Sequence, residues 1–217
     1  MAKLAELLRQ HQSEFGSVLP EAWQQAKVVP LDFTGARFDS PAAMQDYVNR
    51  QRHKHPAGLA VGRYAERREF YTTAQFQGDE ARCIHLGLDL NLPAGTPIHA
   101  PLAGSVHSFQ DNNAAGDYGP TLILQHQLAE FRFYTLYGHL SRSSIQHWQL
   151  GKPLVRGAEI GQIGSIAENG GWPPHLHFQV IKDLQGNTGD YPGVCRASEA
   201  AFYLANCPDP NLILQLY

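Results

Sequence analysis

Trp172-Pro173-Pro174-His175-Leu176-His177-Phe178-Gln179-Val180-Ile181 is the stretch on which the chain turns. From His175 onward, polar and apolar residues alternate, the signature of a half-buried β-strand. His175, His177 and Gln179 then share one face, and Leu176, Phe178 and Val180 the other. Residues i and i+2 of a strand lie roughly 7 Å apart, close enough for two imidazoles to converge on one site. Gly170-Gly171-Trp172-Pro173-Pro174 continues neither a helix nor a central strand, so the strand begins near His175. Two histidines so placed also serve as ordinary polar groups on a half-buried strand. The pair by itself fixes no chemistry.

His85-Leu86-Gly87-Leu88-Asp89 supplies the next element. Histidine and aspartate both bind zinc, at about 2.0–2.2 Å. Straight strand would hold His85 and Asp89 roughly 13 Å apart, too far for one metal. The chain must bend between them, and Gly87 is the residue that permits it. Tyr137-Gly138-His139-Leu140-Ser141 adds a third segment with a histidine.

HxxxD at 85–89, GHLS at 138–141 and HxH at 175–177, in that order, resemble the lysostaphin-like (LytM-type) zinc metallopeptidases. The resemblance covers roughly residues 83 to 182. It includes Gly95-Thr96-Pro97-Ile98-His99-Ala100, Gly104-Ser105-Val106, Tyr118-Gly119 and Gly161-Gln162-Ile163-Gly164. It implies a duplicated hybrid motif fold, zinc held by His85, Asp89 and His177, and a fourth position left for water. Three protein ligands plus water mark a catalytic zinc site. It also implies that His139 and His175 stand beside the metal as catalytic groups. One would take the proton of the attacking water, and the other would steady the oxyanion or protonate the leaving amine. The two roles are not divided between them. The phrases GDYGPT (116–121), YTLYGHLSR (134–142), NGGWPPHLHFQ (169–179) and CPDPN (207–211) resemble a branch found in cytoplasmic multidomain proteins, between a kinase-like and an aminotransferase-like domain.

The rest of the chain fits one domain with an extension. It has 217 residues, 43% hydrophobic and 17% charged, with a net charge of -3. No basic cluster reaches the density of a nucleic-acid or anionic-membrane patch, so neither is an expected partner. Arg63 to Arg68, interleaved with Glu66 and Glu69, reads as a solvated strand face. The first residues carry no long apolar core and no run approaches 18 apolar residues, so the expectation is a cytoplasmic chain without a membrane span. Cys83, Cys195 and Cys207 are an odd set without CxxC spacing and read as reduced thiols.

Residues 1–56 are expected to form a helical extension. One amphipathic helix covers 4–14, and a second starts at Ser40-Pro41, where a capping residue precedes a first-turn proline. His53, Lys54, His55 and Pro56 end it, and His53 and His55 read as exposed linker histidines. From residue 57 to 217 the texture is β. Tyr64 to Phe76 reads as a strand, residues 121–126 and 131–137 as a hairpin, and 198–206 as a short C-terminal helix. Closely spaced Gly/Pro turns give a mainly β, antiparallel, hairpin-rich sandwich or barrel rather than βαβ units. His11, His99, His107, His126 and His147 match no motif position and read as structural. Trp172 is either a wall of the cleft or packed core.

The expected activity is zinc-dependent hydrolysis of a peptide or amide substrate, peptidoglycan-derived peptides included, through a metal-activated water. Two alternatives stand. One is a non-catalytic metal-binding regulatory module of the same fold, separated by turnover on peptides. The other is a phosphocarrier-like domain using two histidines, separated by metal content, since it needs no acidic ligand.

Overall fold

The computed structural model describes residues 2–55 and 57–217. Pro56, read above as part of a helix end, lies outside them. Twelve strands follow in chain order: β1 (Val28–Leu31), β2 (Leu59–Gly62), β3 (Arg82–His85), β4 (Leu88–Asn91), β5 (Pro97–His99), β6 (Gly104–Asn112), β7 (Gly119–Leu128), β8 (Phe131–Gly138), β9 (Pro153–Leu154), β10 (Glu159–Gln162), β11 (Leu176–Ile181) and β12 (Val194–Arg196). Eight form one sheet, in the order β1-β2-β4-β11-β8-β7-β6-β9, and β10-β5 and β12-β3 form two small pairs. Every pairing is antiparallel except β1 with β2. The chain is mainly β, as the turn spacing predicts.

The 121–126 and 131–137 hairpin extends to β7 and β8, paired from Leu122↔Tyr137 to Leu128↔Phe131. Its two-residue turn places Ala129 at φ 49, a left-handed conformation that such tight turns demand. The alternation of the opening stretch also holds. Leu176, Phe178 and Val180 enter the main core with Leu88, Leu90, Leu122 and Leu124, while His177 and Gln179 face the other way into a polar network.

The N-terminal helix is α1 (Ala2–Gln10), shorter than 4–14, with a 3-10 turn over Gln12–Glu14. Leu4, Leu8 and Phe15 bury into the main core. After the one-turn helix α2 (Glu21–Gln24), the helix α3 (Pro41–His53) starts as expected: the Ser40 Oγ accepts from the Ala43 N–H at 3.2 Å. Its Met44 and Val48 pack on Leu31, Phe33 and Phe70, forming a second cluster beside the site. Residues 28–31 of this segment are a strand in the main sheet, which the helical expectation for 1–56 did not include. A single turn, α4 (Arg142–Ile145), follows the GHLS motif, and α5 (Ala200–Asn206) and α6 (Asn211–Leu214) close the chain.

Tyr64 to Phe76 is not a regular strand. Its backbone pairs with β3 through an isolated bridge, Arg67↔Ile84, and a few further bonds, and a 3-10 turn covers Ala74–Phe76. The solvated reading of Arg63–Arg68 is also corrected. Arg67 and Glu69 are exposed, but Glu66 and Arg68 are buried, Arg68 at 2% exposure. Two buried carboxylates repay the desolvation of that guanidinium, as shown below.

His126 fills a structural role, as expected. It sits buried between the Ala103 carbonyl (3.0 Å) and the Thr135 hydroxyl (2.8 Å). Burial pushes its pKa down to about 4 against the Ala103 hydrogen bond. The folded state therefore binds fewer protons than the unfolded chain below pH 6.5. Stability held above pH 6.5 should fall by about 3 kcal/mol as the pH approaches 4. Denaturant titrations of the wild type and His126→Gln across that window should show a shallower acid loss in the variant. Parallel curves would show that His126 is not the group responsible.

Candidate metal centre

His177 on β11 lies in register with Asp89 on β4 and Gly138 on β8, so pairing alone brings two motifs together. His85 arrives from the end of β3, which belongs to another sheet. The bend predicted between His85 and Asp89 is the break between β3 and β4. Gly87 is required there for space: a Cβ would stand 2.6 Å from the His177 ring.

The facing atoms of the three side chains form a small triangle. His85 Nε2 is 3.1 Å from His177 Nδ1 and 3.2 Å from Asp89 Oδ1, and His177 Nδ1 is 3.0 Å from Asp89 Oδ1. All three residues are buried.

Their outer partners decide where the protons sit. His85 Nδ1 is 2.8 Å from the Arg63 carbonyl, which only accepts, so Nδ1 carries the hydrogen and Nε2 a lone pair. The Gln179 amide NH2 donates to the Pro192 carbonyl and the Cys207 sulfur, which turns its Oε1 toward His177 Nε2 at 2.9 Å. His177 thus donates from Nε2 and presents a lone pair at Nδ1.

Two imidazole lone pairs and a carboxylate oxygen therefore face one another at about 3 Å. Lone pairs so placed repel unless a cation lies between them. Tetrahedral zinc at about 2.0–2.1 Å from its ligands separates them by about 3.3 Å, so the group fits this ion. The electrostatics agree. Burial, with help from Arg68, pushes the His85 pKa down to about 4, which keeps the ring neutral and its Nε2 lone pair free for a metal. Burial would raise the Asp89 carboxyl, but the Arg68 guanidinium is among the groups that hold it well below the usual carboxylate range.

His139 and His175 stand beside this triangle, their ring centroids 4.1 Å apart. His139 follows β8 at φ 63, a left-handed conformation that costs a non-glycine residue about 1–2 kcal/mol. Its backbone is held from both sides: its N–H donates to the Tyr118 carbonyl and its own carbonyl accepts from Gly164. His139 Nδ1 donates to the Asn169 carbonyl at 2.8 Å, and His175 Nδ1 to the Pro173 carbonyl at 2.7 Å. Both rings thus keep a lone pair at Nε2, with no hydrogen-bond partner among the described residues. Burial lowers the pKa of each, with further lowering from the neighbouring histidines, so both are neutral near pH 7. Among the remaining histidines, none joins this group, and His53 and His55 are exposed as expected.

One residue of the site escaped the sequence reading. Arg68 donates from Nη1 to Asp89 Oδ2 at 2.6 Å and to the Tyr71 hydroxyl at 3.0 Å, and from Nε to Glu66 Oε2 at 2.9 Å. It occupies one Asp89 oxygen and leaves Oδ1 for the triangle. Gly62 makes room, since a Cβ there would meet Arg68 Nη2 at 2.7 Å. The available signal was the period of two in Glu66, Arg68 and Phe70, all buried, against exposed Arg67 and Glu69.

Arg68→Met leaves Asp89 buried with no guanidinium partner. Metal-free protein should lose about 3–5 kcal/mol of stability. Zinc then supplies the missing counter-charge, so its stabilising effect should exceed that in the wild type. Denaturant unfolding with chelator and with zinc measures both. Equal stability of the two metal-free proteins would refute the pairing.

Residues 83–190 match the description Peptidase family M23. An uncharacterized metalloprotease of Haemophilus influenzae is 28% identical over 144 residues, covering 64% of this chain and 28% of the relative. The DD-carboxypeptidase/endopeptidase Mpg of Neisseria meningitidis is 35% identical over 98 residues, covering 45% of this chain and 20% of the relative. The chain thus spans between a fifth and just over a quarter of these relatives. Among solved structures, a zinc containing peptidase from Vibrio cholerae is 28% identical with a TM-score of 0.36, covering 45% of this chain and 27% of that one.

Proposed function

We infer that this chain, which belongs to peptidase family M23, is a zinc-dependent endopeptidase-like hydrolase of peptide or amide bonds. One observation carries the reading. Three lone pairs converge within about 3 Å, and two further imidazoles with unengaged Nε2 atoms stand against them.

His85, Asp89 and His177 would hold the metal. Zinc, when bound, supplies a Lewis acid that acidifies a water and polarises a carbonyl. The remaining work falls to the protein. His139 and His175 offer two neutral bases at van der Waals distance from each other. One Nε2 removes the proton of the water that attacks the carbonyl carbon. That proton is the one the amine nitrogen needs as the C–N bond breaks, so a paired acid and base close the cycle. The Asn169 and Pro173 carbonyls fix both rings in the tautomer this requires. Arg68 holds Asp89 so that a single oxygen faces the metal.

A cavity of about 300 Å³ opens over the site and is lined by His85, Asp89, His139, His175 and His177. It admits a segment of extended peptide, and we propose a short peptide or amide as the substrate. The Neisseria relative is named a DD-carboxypeptidase/endopeptidase, which supports a peptide substrate, and peptidoglycan-derived peptides are among the first to try. No described helix is long and apolar enough to cross a membrane.

The test pairs metal analysis of the purified protein with a peptide panel that includes peptidoglycan fragments. About one zinc per chain and zinc-dependent cleavage are expected. Full zinc occupancy without turnover on any member would favour the non-catalytic module instead.

A further inference from the structure

The same cavity has a second, apolar side that the catalytic reading does not use. Tyr71, Phe76 and Trp172 line it with half-buried rings, backed by Phe70 and Met44. The rings form one continuous surface. Centroids are 4.9 Å apart for Tyr71 and Phe76, 6.0 Å for Tyr71 and Trp172, and 4.7 Å for Phe70 and Tyr71. Four of these five residues lie at positions 44–76, outside the matched 83–190 segment.

The wall is rigid. The Trp172 indole N–H donates to the Asp117 carbonyl at 3.2 Å, and its backbone N–H to Asn169 Oδ1 at 3.1 Å. The Tyr71 hydroxyl accepts from Arg68, whose same nitrogen holds Asp89. The aromatic surface is thus one guanidinium away from a metal-facing carboxylate. Arg82, Asp117 and Asp190 also line the cavity, Asp117 directly beside Trp172. Pre-organised aromatic rings bury apolar area at little entropic cost, and they favour another ring in offset or edge-on contact.

We propose that this wall is a side-chain subsite for an aromatic residue of the substrate, next to the bond that is cut. The proposal rests on the hydrolase reading for the word substrate, but the subsite can be tested without turnover. Two series of short peptides would carry Phe, Ala, Lys or Asp at each position flanking the susceptible bond. One series has ordinary amides, and the other replaces the susceptible amide by a CH2–NH isostere that cannot be hydrolysed.

With zinc-loaded wild type, kcat/KM should favour Phe over Ala by about 10–200-fold at one of the two positions. Calorimetry with the isosteres should show Phe binding at least about tenfold more tightly. Phe76 makes no side-chain hydrogen bond, so Phe76→Ala should fold and keep its zinc. In it, both preferences should shrink to about threefold or less.

Selective binding with no cleavage would keep the subsite and remove the hydrolase reading. Cleavage with Phe and Ala equal would keep the hydrolase and overturn the subsite. Preference for Lys or Asp, no binding of any isostere, or an aromatic preference untouched in Phe76→Ala would each overturn it as well.

Discussion

Asp89→Ala should purify folded and almost free of zinc, its affinity lowered by more than about 100-fold. Loss of an outer partner typically costs 10–100-fold, and here a ligand itself is removed. The change also takes away the only anion of the triangle. Two neutral imidazoles, His85 and His177, remain, and neither offsets a dication. Arg68 worsens the case. Its guanidinium lies 2.6 Å from Asp89 Oδ2, and without that carboxylate an under-compensated positive charge stands beside the vacant position. Glu66 still pairs with Arg68 at 2.9 Å, which keeps the buried cation tolerable and the fold intact. His177→Ala should lose zinc as well, because Nδ1 is the only atom that β11 contributes to the triangle. Atomic absorption on dialysed protein, with circular dichroism to check folding, reads both. Full zinc occupancy in folded Asp89→Ala would show that the metal lies elsewhere.

Much of this centre is written in the sequence because strand geometry is local. Once β11 is recognised, its period of two places His177 and Gln179 on one face. The need for a bend between His85 and Asp89 follows from strand length alone, although Gly87 turns out to supply space for the His177 ring. The hairpin of β7 and β8 is legible for the same reason. Arg68 was not legible. Its role depends on a long-range pairing of an irregular segment with β3 and on two carboxylates, of which Asp89 is distant in sequence. A charge in a charged stretch reads as solvated until its partners are known. Likewise, β1 joins the sheet in parallel beside β2, with α3 between them in sequence, and a four-residue strand gives too short a pattern to announce that crossover. The aromatic cluster around Phe70 joins residues from Phe33 to Trp172, which no window of sequence contains.

The sharpest separation of roles comes from His139→Ala and His175→Ala. Both variants should keep wild-type zinc and lose turnover by about 10²–10⁴-fold each. Zinc should stay because neither ring belongs to the triangle: His175 Nε2 is 3.8 Å from Asp89 Oδ1, beyond the 3.0–3.2 Å spacing of the three triangle atoms. Turnover should fall because each ring brings a pre-set lone pair at Nε2 into the cavity, and alanine brings neither base nor acid. The two losses should not add. If the one proton taken from the water is handed from one imidazole to the other before it reaches the amine, the double variant should be little worse than either single one. His139→Ala carries a further signature. Alanine must adopt the φ of 63 that His139 holds, so a modest loss of stability should accompany it, and His139→Gly should regain stability without regaining turnover. Steady-state kinetics on zinc-loaded variants, with metal content measured on the same samples, decides the assignment. If either variant loses zinc as readily as His177→Ala, that histidine is a ligand and its proposed catalytic role is wrong.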